Sequence, residues 1–175
     1  MNYQLTKYFD PWEHLTVDNL YDNSLFDDMK KELIQYVRDR KVTHPLNFIE
    51  DFSDLPMTKK CIDSNPISEE WINKFTASRG YESLTPRHQV IICLGVNNFD
   101  IHYESPQKVL SAVTYVWSNA GTGTVIYGEE KEFVKEVDWS ENRTLMFCGL
   151  DNVTWHSYYS KHRSIRITLN TFLER

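Results

Sequence analysis

Hydrophobic and polar residues follow two different rhythms along this chain of 175 residues. In the first third the rhythm is helical: Leu25, Met29, Leu33 and Val37 recur through the segment SLFDDMKKELIQYVRDR at the spacing that puts them on one face of a helix. Ser24 followed by Asp27 opens this segment in the manner of a capping box. The stripe predicts a helix laid on a sheet. A second helix is predicted to start at Asn65-Pro66, with proline at the first helical position, to carry Trp71, Ile72 and Phe75, and to stop at Gly80. Residues 43–64, with Pro45 and Pro56, read as a loop of partial order, expected on the surface near the functional site.

From His88 onward the period shortens to two, and β-branched and aromatic residues dominate. Strands are predicted at 88–94, 99–104, 110–117, 124–127, 131–137, 144–148, 154–158 and 164–172. Eight short strands separated by Gly, Asn, Asp or Pro suggest an antiparallel sandwich or barrel, of which the jelly roll is the eight-stranded form. The expected fold is therefore mostly β with flanking helices (α+β): a double-stranded β-helix with N-terminal helices packed on one sheet. A single domain is expected over 1–175, with a helical and irregular part to residue 84 and a jelly-roll core from 85. The GTGT run at 121–124 reads as a tight turn before a strand, because no Gly-Lys-Ser/Thr or following helix supports a phosphate loop.

Composition narrows the classes. Hydrophobic residues make up 41% of the chain and aromatics 14%, values of a globular protein rather than a disordered one. No apolar run reaches membrane-spanning length, and Asp10 and Glu13 follow too soon for a signal sequence, so a cytoplasmic, membrane-free protein is expected. Three cysteines, Cys61, Cys93 and Cys148, without C-x-x-C spacing, argue against a disulfide framework or thiolate zinc site. The net charge of −6 disfavours a grip on extended nucleic acid. The basic stretch Lys161, His162, Arg163 and Arg166 reads as a solvated turn leading into the last strand.

One constellation carries chemistry. His102-Tyr103-Glu104 places an imidazole and a carboxylate two residues apart, so on a strand both leave the same face. His156, from a distant strand, completes a set of two imidazoles and one carboxylate, the ligands that hold a non-heme ferrous ion with open positions opposite. Arg166 lies ten residues further on, where a guanidinium could hold a second carboxylate. Two alternatives stay open at this level. Asp100 shares the face of His102 and Glu104 and is a conceivable substitute ligand or an acceptor for an imidazole N–H. Arg163, an odd three residues before Arg166, faces the other way and replaces it if the register slips.

These motifs, in this order, resemble the Fe(II)- and 2-oxoglutarate-dependent dioxygenases, in particular the prolyl-4-hydroxylase-like branch. The resemblance covers residues 85–173 and rests on HYE at 102–104, His156, and Arg166-Ile167-Thr168, with LSAVTYVW, GTGTVIY and RTLMF between them. It implies that His102, Glu104 and His156 bind Fe(II), that Arg166 and Thr168 hold the distal carboxylate of 2-oxoglutarate, that Tyr115 adds a hydrogen bond to it, and that Thr124 lines the same pocket. It further implies molecular oxygen as cosubstrate, succinate as product, and hydroxylation of a peptidyl or small-molecule substrate. Glutamate here stands where the family more often has aspartate, which moves the carboxylate by about one C–C bond, roughly 1.5 Å. A nucleobase substrate, or a jelly-roll binding or structural protein without turnover, are the competing readings. Arg166 separates the last of these, since a plain metal-binding cupin needs no carboxylate anchor.

Overall fold

The computed structural model describes residues 3–39, 42, 44–64, 84–95, 98–159 and 164–174. In chain order the elements are β1 (Gln4–Tyr8), β2 (His14–Asp18), α1 (Asn23–Asp39), β3 (Leu46–Ile49), α2 (Pro56–Asp63), β4 (Thr85–Gly95), β5 (Asn98–His102), β6 (Lys108–Ser118), β7 (Thr124–Tyr127), β8 (Phe133–Val137), β9 (Arg143–Cys148), β10 (His156–Tyr159) and β11 (Ser164–Glu174).

The strands form two antiparallel sheets. The larger has the order β1-β2-β9-β6-β11-β4-β3 and the smaller β5-β10-β7-β8. The jelly roll is the two sets of four, β9-β6-β11-β4 against β5-β10-β7-β8, and these are the eight strands that the period-two pattern predicts. β1 and β2 extend the larger sheet at one edge and β3 at the other. Those three were not predicted. All five residues of β1 are exposed, so the edge strand carries no alternation to read.

Alternation along the larger sheet sorts its side chains into two layers. On β11, Ile167 and Leu169 join Val90, Ile92, Ala112 and Val116 beneath the helices, in one core with Phe26, Met29 and Leu33 of α1. The opposite face of the same sheet sends Val113, Tyr115, Leu145 and Phe147 into the sandwich, against Trp12, Ile126 and Val137. Each apolar side chain buried this way contributes about 2 kcal/mol by removal from water. Leu33, fully buried, fixes α1 to the sheet, and its loss to Ala would cost about 2 to 5 kcal/mol.

Two helix starts differ from the sequence reading. The cap of α1 is Asp22, whose Oδ1 accepts from the backbone N–H groups of Ser24 (3.0 Å) and Leu25 (3.1 Å), so Ser24 sits inside the first turn. Within the segment read as loop, α2 begins at Pro56, and its first N–H groups have an unusual acceptor. Glu32 on α1 takes hydrogen bonds from Met57 N (2.9 Å), Thr58 N (2.7 Å) and Thr58 Oγ1 (2.7 Å). A tertiary partner thus satisfies the end of a helix too short to be stable alone. The rest of that segment divides: β3 reaches the functional cavity through Phe48, while Leu55 and Cys61 pack on the helix face. The helix predicted from Asn65 lies outside the described residues.

Asn142, in the left-handed region at φ 61°, ties the β8–β9 turn to the chain before α1. Its Nδ2 donates to Tyr21 O (2.9 Å) and its Oδ1 accepts from Tyr21 N (3.1 Å). Cys61, Cys93 and Cys148 are buried, and none is in a disulfide. Among the described residues no helix is long and apolar enough to cross a membrane.

Candidate active site

His102 closes β5 and His156 opens β10, and the two are direct partners in the antiparallel pairing of those strands. Their rings stand 4.3 Å apart between centroids. Each ring is oriented the same way from below: His102 Nδ1 donates to Asp100 O (2.7 Å) and His156 Nδ1 to Thr154 O (2.9 Å). A carbonyl can only accept, so both Nδ1 atoms carry the proton, and each ring in its neutral form presents a lone pair at Nε2. Asp100 therefore serves through its backbone, and its side chain is exposed. That leaves Glu104 as the carboxylate beside the two imidazoles.

Glu104 lies just past the end of β5, in the loop rather than on the strand predicted to include it. It is 6% exposed and His156 7%. Glu104 Oε1 stands 3.8 Å from His156 Nε2, and one ligating atom from each of His102, Glu104 and His156 falls within 4.8 Å of the others, close enough to share one cation. Phe147 packs edge-on against His156 and Phe99 tilts against His102, at 4.7 Å and 4.8 Å between centroids.

The electrostatics suit a metal. Burial, with the neighbouring His102 adding to it, brings His156 down to about 4, so its imidazole is neutral at physiological pH. Burial alone would raise the Glu104 carboxyl; His156 and Lys108 outweigh it and hold the group below the usual carboxylate range. With His156 uncharged at neutral pH, the ammonium of Lys108 is a charge that still opposes burial there. Lys108 Nζ donates to Glu104 Oε2 at 2.7 Å.

Across a cavity of about 360 Å³, the larger sheet faces these groups with β11. Arg166, Thr168 and Asn170 leave the same side of that strand and all three line the cavity. The guanidinium is buried, 6% exposed, and lies over the ring of Tyr158 at 4.2 Å from its centroid. Its Nη2 donates to Thr124 Oγ1 at a long 3.3 Å, and its Nε has no partner. Among the described residues no carboxylate pairs with it. Thr124 is held from behind by Tyr115, whose hydroxyl donates to Thr124 Oγ1 (3.0 Å) and accepts from Thr124 N (3.1 Å). Tyr115 is fully buried behind Thr124 and does not itself line the cavity, while Thr124 does. Arg163 lies outside the described residues.

Lys108, Asn170 and Gln89 are among the cavity residues that escaped the sequence reading. Lys108 follows Glu104 by four positions, a spacing with no meaning until the intervening turn is known. Asn170, whose Oδ1 is buried without a partner, was legible as the next inward position after Arg166 and Thr168. Gln89, its neighbour in the β4–β11 register, lies on a strand with no other polar marker of function.

No protein-family model matches this sequence, and no curated protein does. Solved structures match in three dimensions. A Pseudomonas putida prolyl-4-hydroxylase superposes with a TM-score of 0.69 at 11% identity, covering 99% of this chain and 92% of its own. A prolyl hydroxylase from Trichoplax adhaerens, in complex with a peptide fragment of the hypoxia inducible factor oxygen degradation domain, gives 0.67 at 14% identity over 92% and 83%. The viral collagen prolyl hydroxylase of Paramecium Bursaria Chlorella virus-1, in its 2OG complex, gives 0.57 at 11% identity over 91% and 94%. At such identities the likeness is one of architecture: this chain has the jelly-roll fold of the prolyl hydroxylases.

Proposed function

We propose that the protein is an Fe(II)- and 2-oxoglutarate-dependent dioxygenase that hydroxylates a peptidyl or small-molecule substrate, with the peptidyl class favoured by the peptide held in the Trichoplax neighbour. The observation that carries this reading is the buried guanidinium of Arg166, which has no carboxylate partner among the described residues and lines the same cavity as His102, Glu104 and His156. An uncompensated buried charge costs several kcal/mol, and an anionic ligand would relieve that cost.

The residues fit the groups this function requires. His102 and His156, each with Nδ1 committed and Nε2 open, and Glu104 would hold Fe(II). Arg166 would take the distal carboxylate of 2-oxoglutarate through its planar fork, with Thr168 and Thr124 offering hydroxyls beside it. When bound, the metal and cosubstrate supply the oxidation: 2-oxoglutarate and O2 become succinate and CO2, and one substrate C–H becomes C–OH. The chain's own work is to position and to exclude water. Tyr115 holds Thr124, Tyr158 covers the guanidinium, and Phe99 and Phe147 flank the imidazoles. Phe48, half exposed, and Tyr103 lie at the cavity, where a substrate side chain would enter.

Anaerobic addition of Fe(II) and 2-oxoglutarate should produce a weak visible charge-transfer band. Admitting oxygen with pools of peptides should release succinate, and His156→Ala should abolish both signals. Metal binding with neither band nor succinate would instead mark a jelly-roll binding protein and end the enzyme reading.

A further inference from the structure

A carboxylate can grip a cation with one oxygen or with both, and a glutamate has one more rotatable bond than an aspartate through which to swing between the two. Chelation by both would give a six-coordinate ion four protein donors, leaving two positions for a bidentate cosubstrate and none for oxygen. The corner around Glu104 is built so that only one oxygen is free. Ser105 O accepts from Lys108 N (2.9 Å), closing the turn that brings the fourth residue after Glu104 back beside it. Lys108 Nζ then binds Glu104 Oε2 at 2.7 Å, in an ion pair whose side chains are 20% and 7% exposed. From its other side the ammonium rests 3.9 Å from the centroid of the buried Phe172 ring, so it has little freedom to leave. Gly149 completes the corner: a β-carbon there would collide with the Lys108 carbonyl oxygen and press on Glu104 Cβ at 3.3 Å. Oε1 is the oxygen on the His156 side.

We infer that Lys108 is a positioning residue that keeps Glu104 Oε2 out of the metal's ligand set, so that a glutamate serves as a one-oxygen ligand and three positions stay open, two for 2-oxoglutarate and one for oxygen. The inference rests on the proposed function, since it takes His102, Glu104 and His156 as the metal ligands.

Lys108→Met removes the ammonium that makes the clamp while keeping an unbranched side chain in its place. Two effects then favour the metal: a nearby positive charge is gone, and both oxygens of Glu104 are free to bind. Mn(II) affinity of the metal-free protein, measured calorimetrically, should rise about 3- to 10-fold. In the Mn(II) complex with 2-oxoglutarate, the one metal-bound water read by water proton relaxation should be lost, and Lys108→Arg should bring both the affinity and the water back. Tighter metal with the water lost is the signature, because removal of a charge alone would keep the water and a merely structural role would weaken the metal. Weaker metal, tighter metal with the water retained, or no change in either would each overturn the role of Lys108. If the unaltered protein fails to bind Mn(II) at all, the proposed function itself falls, and the two failures are thereby told apart.

Discussion

Replacing Arg166 by Met separates a ligand-binding guanidinium from a structural one, because the two roles predict opposite changes in stability. The side chain is 6% exposed, its hydrogen bond to Thr124 is a long 3.3 Å, and its Nε has none. Removing an uncompensated buried charge is neutral or stabilising by about 1 to 4 kcal/mol. Against this stands the loss of the cation–π contact with Tyr158 at 4.2 Å, worth about 1 to 2 kcal/mol in a desolvated setting. The ligand-free variant should therefore be as stable as the parent to within about 1 kcal/mol, or more stable, in urea titrations. For 2-oxoglutarate the balance reverses. Truncating one partner of a buried, hydrogen-bonded charge pair costs about 2 to 5 kcal/mol, so the dissociation constant on the metal-loaded protein should rise by about two orders of magnitude. Metal affinity should hold within about threefold, since Arg166 is on the opposite sheet from the proposed metal ligands. Unchanged 2-oxoglutarate affinity, or a stability loss above about 2 kcal/mol, would make Arg166 a structural pin held among aromatic rings and refute the reasoning.

Tyr115→Phe removes the hydroxyl that both donates to and accepts from Thr124; it should weaken 2-oxoglutarate binding about 5-fold while leaving Mn(II) affinity unchanged, and an equal loss of both by calorimetry would contradict that placement. His156 ionises at about 4 in the folded chain because of burial and His102, against an ordinary value of 6.5. A lowered value means the unfolded chain binds the proton first, so the metal-free protein keeps this stability above pH 6.5 and loses it as pH falls toward 4, by on the order of 3 kcal/mol. His156→Gln should flatten that part of the urea-midpoint profile, and an unaltered profile would exclude the assignment. Asn142→Ala deletes the paired hydrogen bonds to the Tyr21 backbone and the left-handed preference at φ 61°; it should cost about 2 to 3 kcal/mol without moving either ligand affinity, as judged by thermal unfolding.

The parts of the fold that a periodic pattern can express were legible before any coordinates. Arg166, Thr168 and Asn170 alternate with Ile167 and Leu169 because one face of β11 meets the cavity and the other the helix layer, and that alternation is written in the residues themselves. So was the stripe of α1, whose Met29 and Leu33 lie on the buried face. What was hidden depends on partners remote in sequence. The hydrogen bonds that start α2 come from Glu32, more than twenty positions away, and β1 exists only because β2 pairs with it. At the site, the order His102, Glu104, His156 was readable, whereas the roles of Asp100 and Lys108 were not. Asp100 contributes a carbonyl that every residue type has, and the ion pair of Lys108 depends on the shape of one turn.

The division of the candidate site between the two sheets has a mechanical consequence. His102 and His156 ride on the four-stranded sheet, while Arg166 and Thr168 belong to the seven-stranded one. On the proposed reading, a single small dianion reaching from one to the other would act as a strut across the sandwich, joining layers that otherwise cohere through side-chain packing and hydrogen bonds such as those of Tyr115 and Arg166 to Thr124. Resistance to unfolding would then track the supply of that ligand, rising by RT ln(1 + [L]/Kd) as it saturates, so binding would be felt as rigidity of the whole sandwich.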